Sequence, residues 1–186
     1  MATSVSVLGF AGSLRKASYN RAALQAAVEL APPDMRLETF DLRSIPLYDG
    51  DVEAVGLPDA VREFRARIAA ADALLIATPE YNYSMAGVLK NAIDWASRPP
   101  DQPFAGKPVA ILGASMGGFG TARAQYHLRQ TCVYLDMRPL NKPEVFVAAA
   151  HQKVDGAGRL SDAQARASIR ALLEALVDWA RRLRGG

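Results

Sequence analysis

The chain has 186 residues, half of them hydrophobic and 22% charged, with a net charge of +3. That length suits a single domain over 1–186 with a substantial core, and scattered basic residues with so small an excess argue against nucleic acid. One cysteine, Cys132, excludes an internal disulfide and a cysteine-based zinc site, while no apolar run approaches the roughly 20 residues of a membrane span.

Strand and helix signals alternate along the chain. Val5-Ser6-Val7-Leu8 reads as a short buried strand, reached so early that no leader is expected; a cytoplasmic protein follows. Arg21 to Val28 reads as a helix, ended by Pro32-Pro33-Asp34. Met35 to Leu42 reads as a second strand, and Asp41 to Pro58 as a long connection with Pro46, Gly50 and Gly56. From Asp59, Val61, Phe64 and Ile68 recur at helical spacing. Ala73-Leu74-Leu75-Ile76-Ala77 is a continuous apolar run, as in a parallel strand covered on both faces. Ala86 to Ser97 reads as a helix with Val88, Leu89, Ala92, Ile93 and Ala96 on one side, stopped by Pro99-Pro100. Val109 to Leu112 is a fourth strand, Thr121 to Leu135 a helix, and Glu144 to Val147 a fifth strand. The last helix begins at Ser161, with Gln164 completing a capping box, and carries Ile169, Leu172, Leu173, Leu176, Val177, Ala180 and Leu183 on one face. Gly185-Gly186 reads as a frayed end.

Five strands alternating with five helices specify an α/β fold, a parallel sheet with helices on both faces. The stretch Gly9 to Asn20, between the first strand and helix, reads as a phosphate cradle. The N–H groups and positive end of the following helix favour an anion. Gly9 and Gly12 allow tight turns, Ser13, Ser18 and Asn20 can donate to phosphate oxygens, and Arg15 adds a charged fork. The Walker pattern and the Gly-x-Gly-x-x-Gly fingerprint are both missing, and no cysteine nucleophile is at hand. A monophosphate held by hydroxyls and backbone remains, as in FMN. The flavodoxin-like strand order 2-1-3-4-5 then places the ligand at the switch between strands one and three. That order requires the loops after strands three and four to be ligand loops too. Thr78 to Gly87 offers Pro79, Glu80, Tyr81, Asn82 and Tyr83, suited to the face and polar edge of an isoalloxazine. Glu80 reads as fixing the loop, since hydride transfer needs no base. Gly113 to Gly120 offers Ser115, Gly117 and Gly118, where backbone can lie against a ring.

Gly-Ser-Leu-Arg-x-x-Ser-x-Asn, Pro-Glu-Tyr-Asn-x-Ser-x-x-Gly-x-Leu-Lys-Asn-x-Ile-Asp-Trp and Gly-Ala-Ser-x-Gly-Gly-x-Gly-x-x-Arg together resemble the NAD(P)H-dependent FMN reductase family, which includes quinone, chromate and azo-dye reductases. The resemblance runs from Val5 to about Val147. It implies that Ser13, Arg15, Ser18 and Asn20 hold the FMN phosphate. Pro79, Glu80, Tyr81, Asn82, Ser115, Gly117 and Gly118 would line the isoalloxazine. It further implies tightly bound FMN, NADPH or NADH as reductant in a ping-pong cycle through the flavin N5, small-molecule electron acceptors, and a homodimer or homotetramer. No catalytic side chain and no metal ligand is assigned. The competing reading is a flavodoxin-type electron carrier, which the mildly basic charge disfavours.

Several residues fall outside these loops. Cys132 reads as a packing residue on its helix, Trp95 as a core or subunit contact, and His127 and His151 as isolated. Arg123, Tyr126 and Glu144 are candidates for a polar network between subunits.

Overall fold

A computed structural model describes residues 4–185. Its frame is a six-stranded sheet running, in spatial order, Met35–Phe40, Val5–Ala11, Ala73–Ala77, Pro108–Ala114 and Arg138–Pro139, with Val145–Val147 also on Pro108–Ala114. The strands are β1 (Val5–Ala11), β2 (Met35–Phe40), β3 (Ala73–Ala77), β6 (Pro108–Ala114), β7 (Arg138–Pro139) and β8 (Val145–Val147). Every pairing in this sheet is parallel. The expected 2-1-3-4-5 order therefore holds, with one change. The fifth position is shared by β7, on the start of β6, and β8, on its end.

Alternation along the strands builds two cores. Val5, Val7 and Ala11 of β1, Ala73, Leu75 and Ala77 of β3, and Ala110, Leu112 and Ala114 of β6 face α1 (Tyr19–Glu29) and α6 (Ala163–Arg184). Leu8 and Phe10, Leu74 and Ile76, and Val109 and Ile111 face α3 (Asp59–Ala70), α4 (Gly87–Ala96) and α5 (Ala122–Tyr134). Alanines on the first face let the alanine-rich α1 lie close to the sheet. Larger side chains fill the second, where Phe64 meets Phe10 edge-on at 5.2 Å and Phe40 at 4.9 Å. β3 is wholly buried, as its unbroken apolar run requires. On α6, Ile169, Leu172, Leu173, Leu176 and Val177 are buried, each stabilising by about 1.5–3 kcal/mol. Leu183, expected on that face, is exposed beyond the end of the core.

Local differences have local causes. The N-cap of α6 is Asp162, whose carboxylate accepts from the Ala165 N–H at 2.8 Å. Ser161 instead turns its hydroxyl to the Lys153 carbonyl, so the expected capping box is one residue out of place. Gly185 is the C-cap of α6, its N–H donating to Arg181 O, and Gly186 lies outside the described residues. The Asp41–Pro58 connection contains α2 (Gly50–Val55), a helix with no buried residue. The preceding segment is fastened to α4. Asn91 accepts from the Tyr48 N–H and donates to Pro46 O, which also receives the Trp95 indole N–H. Trp95 is fully buried, in keeping with its reading as a core contact.

Candidate functional site

The three expected loops meet at the carboxyl edge of the sheet. Backbone bonds continue the ladder past the strands: Gly12 N–H to Ala77 O, Thr78 N–H to Leu112 O, and Ser115 N–H to Val147 O. The contact between loops is close. A Cβ on Gly12 would stand 2.9 Å from Leu89 Cβ and 3.1 Å from Pro79 Cδ, so only glycine lets these segments touch. A Cβ on Gly113 would stand 1.8 Å from Thr121 Oγ1 and 2.5 Å from Thr78 O. Arg15 and Asn82 thus belong to neighbouring loops of one sheet edge.

The first loop is prepared for an anion. Among the described residues, the N–H groups of Ser13, Leu14, Arg15, Lys16 and Ala17 donate to no protein acceptor. Successive free N–H groups ahead of a helix form a concave, positive cradle. Ser18 is the N-cap of α1. Its oxygen accepts from the Arg21 N–H at 3.3 Å, and its own proton stays free to donate. Ser13 is buried in the turn; Arg15 is exposed, its guanidinium 5.2 Å from the Tyr19 ring centre. An open cavity of about 680 Å³ borders the loop, edged by Arg15, Lys16, Ser18 and also His151. From outside, Arg43 donates to Leu14 O at 2.6 Å.

Asn20 has a structural task beside the one expected of it. Its amide nitrogen donates to Ala114 O and its amide oxygen accepts from Ala114 N–H, both at 2.9 Å. The side chain is only 3% exposed. Asn20 imitates a strand neighbour for the last residue of β6 and ties the phosphate loop to the glycine-rich loop. Each end of the amide makes one backbone bond, so Asn20 serves as scaffold while its second amide N–H stays unpaired among the described residues.

The second loop is a small hairpin, β4 (Glu80–Tyr81) paired antiparallel with β5 (Ser84–Met85). Asn82 and Tyr83 form its turn with φ of 50° and 65°, the left-handed pair that a two-residue hairpin requires. Asn accepts that region readily; for Tyr83 it costs about 1 kcal/mol. Tyr81, Asn82 and Tyr83 are exposed, and Pro79 is buried. The Glu80 carboxylate is nearly buried, with its side chain 8% exposed. It accepts from the backbone N–H groups of Arg123 and Ala124 at 3.1 and 3.3 Å and from Arg123 Nε at 2.5 Å, and pairs with Arg123 Nη2. Thr121, the formal N-cap of α5, makes no side-chain cap bond; Glu80 caps the helix from another loop. Glu80 thus fixes the loop, as its reading required, and what it offers a ligand is backbone. Arg123 is stacked between two rings, 3.7 Å from the centre of Tyr83 and 4.5 Å from that of Phe119.

In the third loop, Gly117 and Gly118 are exposed and a Cβ on Gly118 would meet no protein atom within 4 Å. Ser115 is half-buried, its hydroxyl 3.4 Å from Gly117 O. Segment 148–150 braces this loop, with Ala150 N–H on Ser115 O and Ala149 N–H on Gly117 O. No motif in the sequence marks that support. Tyr126 donates to Glu144 at 3.1 Å within the chain, and Lys142 donates to the same carboxylate, while Arg123 is engaged by Glu80. His127 faces the hydroxyl of Ser84 at 3.0 Å, so it is not isolated. Cys132 is buried, and burial pushes its thiol up to about 11.

The residues present fit FMN. Unpartnered N–H groups and Ser18 suit a phosphate, and an open glycine stretch joined through Phe119 and Arg123 to the exposed Tyr83 suits a planar ring. A parallel sheet with an anion-ready loop at the switch between β1 and β3 defines a flavodoxin-like, mononucleotide-binding protein. The chain belongs to the NADPH-dependent FMN reductase family, whose profile matches residues 5–152. It is 65% identical over 185 residues to an NAD(P)H-dependent FMN reductase of Pseudomonas aeruginosa, covering 100% of both chains. With a quinone reductase of Escherichia coli K12 it shares 48% identity over 157 residues, 83% of this chain and 84% of that one. A solved flavoenzyme, the NAD(P)H:(acceptor) oxidoreductase of Paracoccus denitrificans, superposes with a TM-score of 0.86 at 32% identity, covering 96% of this chain and 98% of that one. The chain is therefore an NAD(P)H-dependent oxidoreductase that works with FMN.

Proposed function

We propose that this chain holds FMN at the carboxyl edge of its sheet and passes reducing equivalents from NAD(P)H to quinones and similar flat acceptors. The observation that carries this reading is the meeting of the free N–H groups of Ser13 to Ala17 with the exposed Tyr81–Tyr83 turn and the Gly117–Gly118 backbone at one edge. The first loop, with Ser13, Arg15, Ser18 and Asn20, would hold the phosphate. Pro79 to Asn82, Ser115, Gly117 and Gly118 would border the ring. FMN, when bound, supplies the hydride chemistry. The protein orients the reactants, keeps Glu80 out of acid–base work by committing it to α5, and leaves the aromatic rim open to each in turn. An open rim shared by reductant and acceptor favours a ping-pong order. The same openness extends the acceptor class to free flavin, azo dyes and chromate. Assembly as a homodimer or homotetramer is consistent with exposed Tyr126, Val133 and Tyr134 along α5.

The competing carrier reading predicts that a separate reductase is needed. Anaerobic addition of NADPH or NADH to the purified yellow protein is expected to bleach it at once, with colour returning on addition of a quinone. Yellow protein that stays oxidised with both nucleotides would favour the carrier.

A further inference from the structure

The β4–β5 hairpin is too small to hold itself. It has two residues in each strand and a left-handed tyrosine in its turn, and isolated hairpins far longer are marginal in water. Yet it carries the exposed Tyr81 and Asn82 at the carboxyl edge of the sheet. Something must fix it against the opposite wall, the Gly113–Gly120 loop, which runs directly into α5. Two ties do so, both on α5: Glu80 at the helix start, and Ser84 on His127. The first is the stronger, because a nearly buried carboxylate accepts charge-assisted bonds and two helix N–H groups together. Its partner, Arg123, is held by Tyr83 from the hairpin and Phe119 from the glycine-rich loop. A single guanidinium thus touches both walls.

We propose that Glu80 and Arg123 form a clasp that sets the spacing between these walls and so positions the planar ring; both act as positioning residues rather than catalytic ones. The proposal rests on the FMN site described above. The contacts of the clasp run to Ala124, Tyr83 and Phe119 and none runs to the Ser13–Ala17 cradle, so it acts on the ring and leaves the phosphate end alone. It also acts as one unit, so removing either member removes the whole effect.

The test compares wild type with Glu80→Ala, Arg123→Ala, the double variant and Glu80→Gln. Apoprotein is titrated with FMN and, separately, with riboflavin by fluorescence quenching, and the visible circular dichroism of bound flavin is recorded. Hydrogen exchange of the Tyr81–Met85 amides is measured without flavin. Each alanine variant is expected to bind both flavins roughly tenfold more weakly, the scale of a lost charge-assisted bond. The FMN-to-riboflavin ratio should stay constant and the flavin dichroism should change. The double variant should be no worse than the weaker single. Exchange across the hairpin should quicken roughly tenfold. Glu80→Gln keeps an acceptor for the helix while losing the charge, so it should fold even where alanine variants do not, and bind a few-fold more weakly. Wild-type affinity and dichroism in these variants, or strictly additive losses, would overturn the clasp. Wild type that takes up no FMN would overturn the functional reading instead, and hairpin exchange would still decide the clasp.

Discussion

Replacing Asn20 separates two roles that the sequence alone merges. In the structure Asn20 satisfies both backbone groups of Ala114, 94 residues away, in a buried place. Asn20→Ala strands a buried N–H and a buried C=O. Each orphaned group costs about 1–3 kcal/mol, so a loss of about 3 kcal/mol in total is a conservative expectation. For a chain of this size each kcal/mol shifts the melting temperature by about 2–4 °C, which gives a fall of roughly 6–12 °C. The assay is thermal unfolding of the apoprotein, free of any contribution from bound flavin. Asn20→Asp refines it. That side chain still accepts from the Ala114 N–H, but its second oxygen faces Ala114 O. Its pKa in the fold is thereby raised above the about 3.9 of the unfolded chain. The protonated form can donate to Ala114 O. The deficit relative to wild type should therefore be smallest below about pH 3.9 and grow as pH rises through the folded-state value. An apoprotein melting temperature unmoved by Asn20→Ala, with FMN affinity alone reduced, would refute the scaffold role and leave Asn20 as a ligand contact only.

Other substitutions probe the remaining parts of the site. Arg15→Ala should weaken FMN binding by about 1.5–3 kcal/mol and leave riboflavin, which has no phosphate, unaffected; an equal loss for both flavins would place Arg15 elsewhere. Gly113→Ala drives a methyl into Thr121 and the Thr78 carbonyl, and Thr121 is itself held by Gln125 at 3.2 Å. A loss of about 3 kcal/mol or failure to accumulate folded protein is expected, and a wild-type melting curve would show the edge to be more yielding than its geometry. With its thiol raised to about 11, Cys132 should react with a disulfide reagent at neutral pH only as fast as the protein opens, so rapid labelling of native protein would contradict its burial.

Much of this architecture was legible because burial on both faces leaves a strong mark. Ala73–Ala77 and Val109–Leu112 are uninterrupted apolar runs, and each lies inside a fully buried strand. The strand order followed from a phosphate loop after the first strand that lacks the dinucleotide fingerprint, which favours the flavodoxin-like order over the other common doubly-wound one. What escaped is of another kind. α2 buries nothing, so no apolar period announced it. β4 and β5 are too short for a period of two to register, and their turn has tyrosine where glycine would have signalled a hairpin. Asn20 was legible as a polar residue at a loop end, but its partner is a backbone group that any residue type supplies. Glu80 was readable as a fixing residue without its destination, because capping a helix from a different loop leaves no spacing rule in the chain. The divided fifth strand hid for a similar reason, since Glu144–Val147 shows only the apolar half.

That division matters for what the molecule avoids. β7 ends in Pro139, which has no N–H to offer, and β8 resumes only at Val145 after a stretch containing Pro143. An uninterrupted outer strand would present a row of free donors and acceptors to any extended peptide nearby. Here the row is broken in the middle and blunted by imino acids, so a stray chain finds no template on which to zip. Self-association by strand addition is discouraged at this margin.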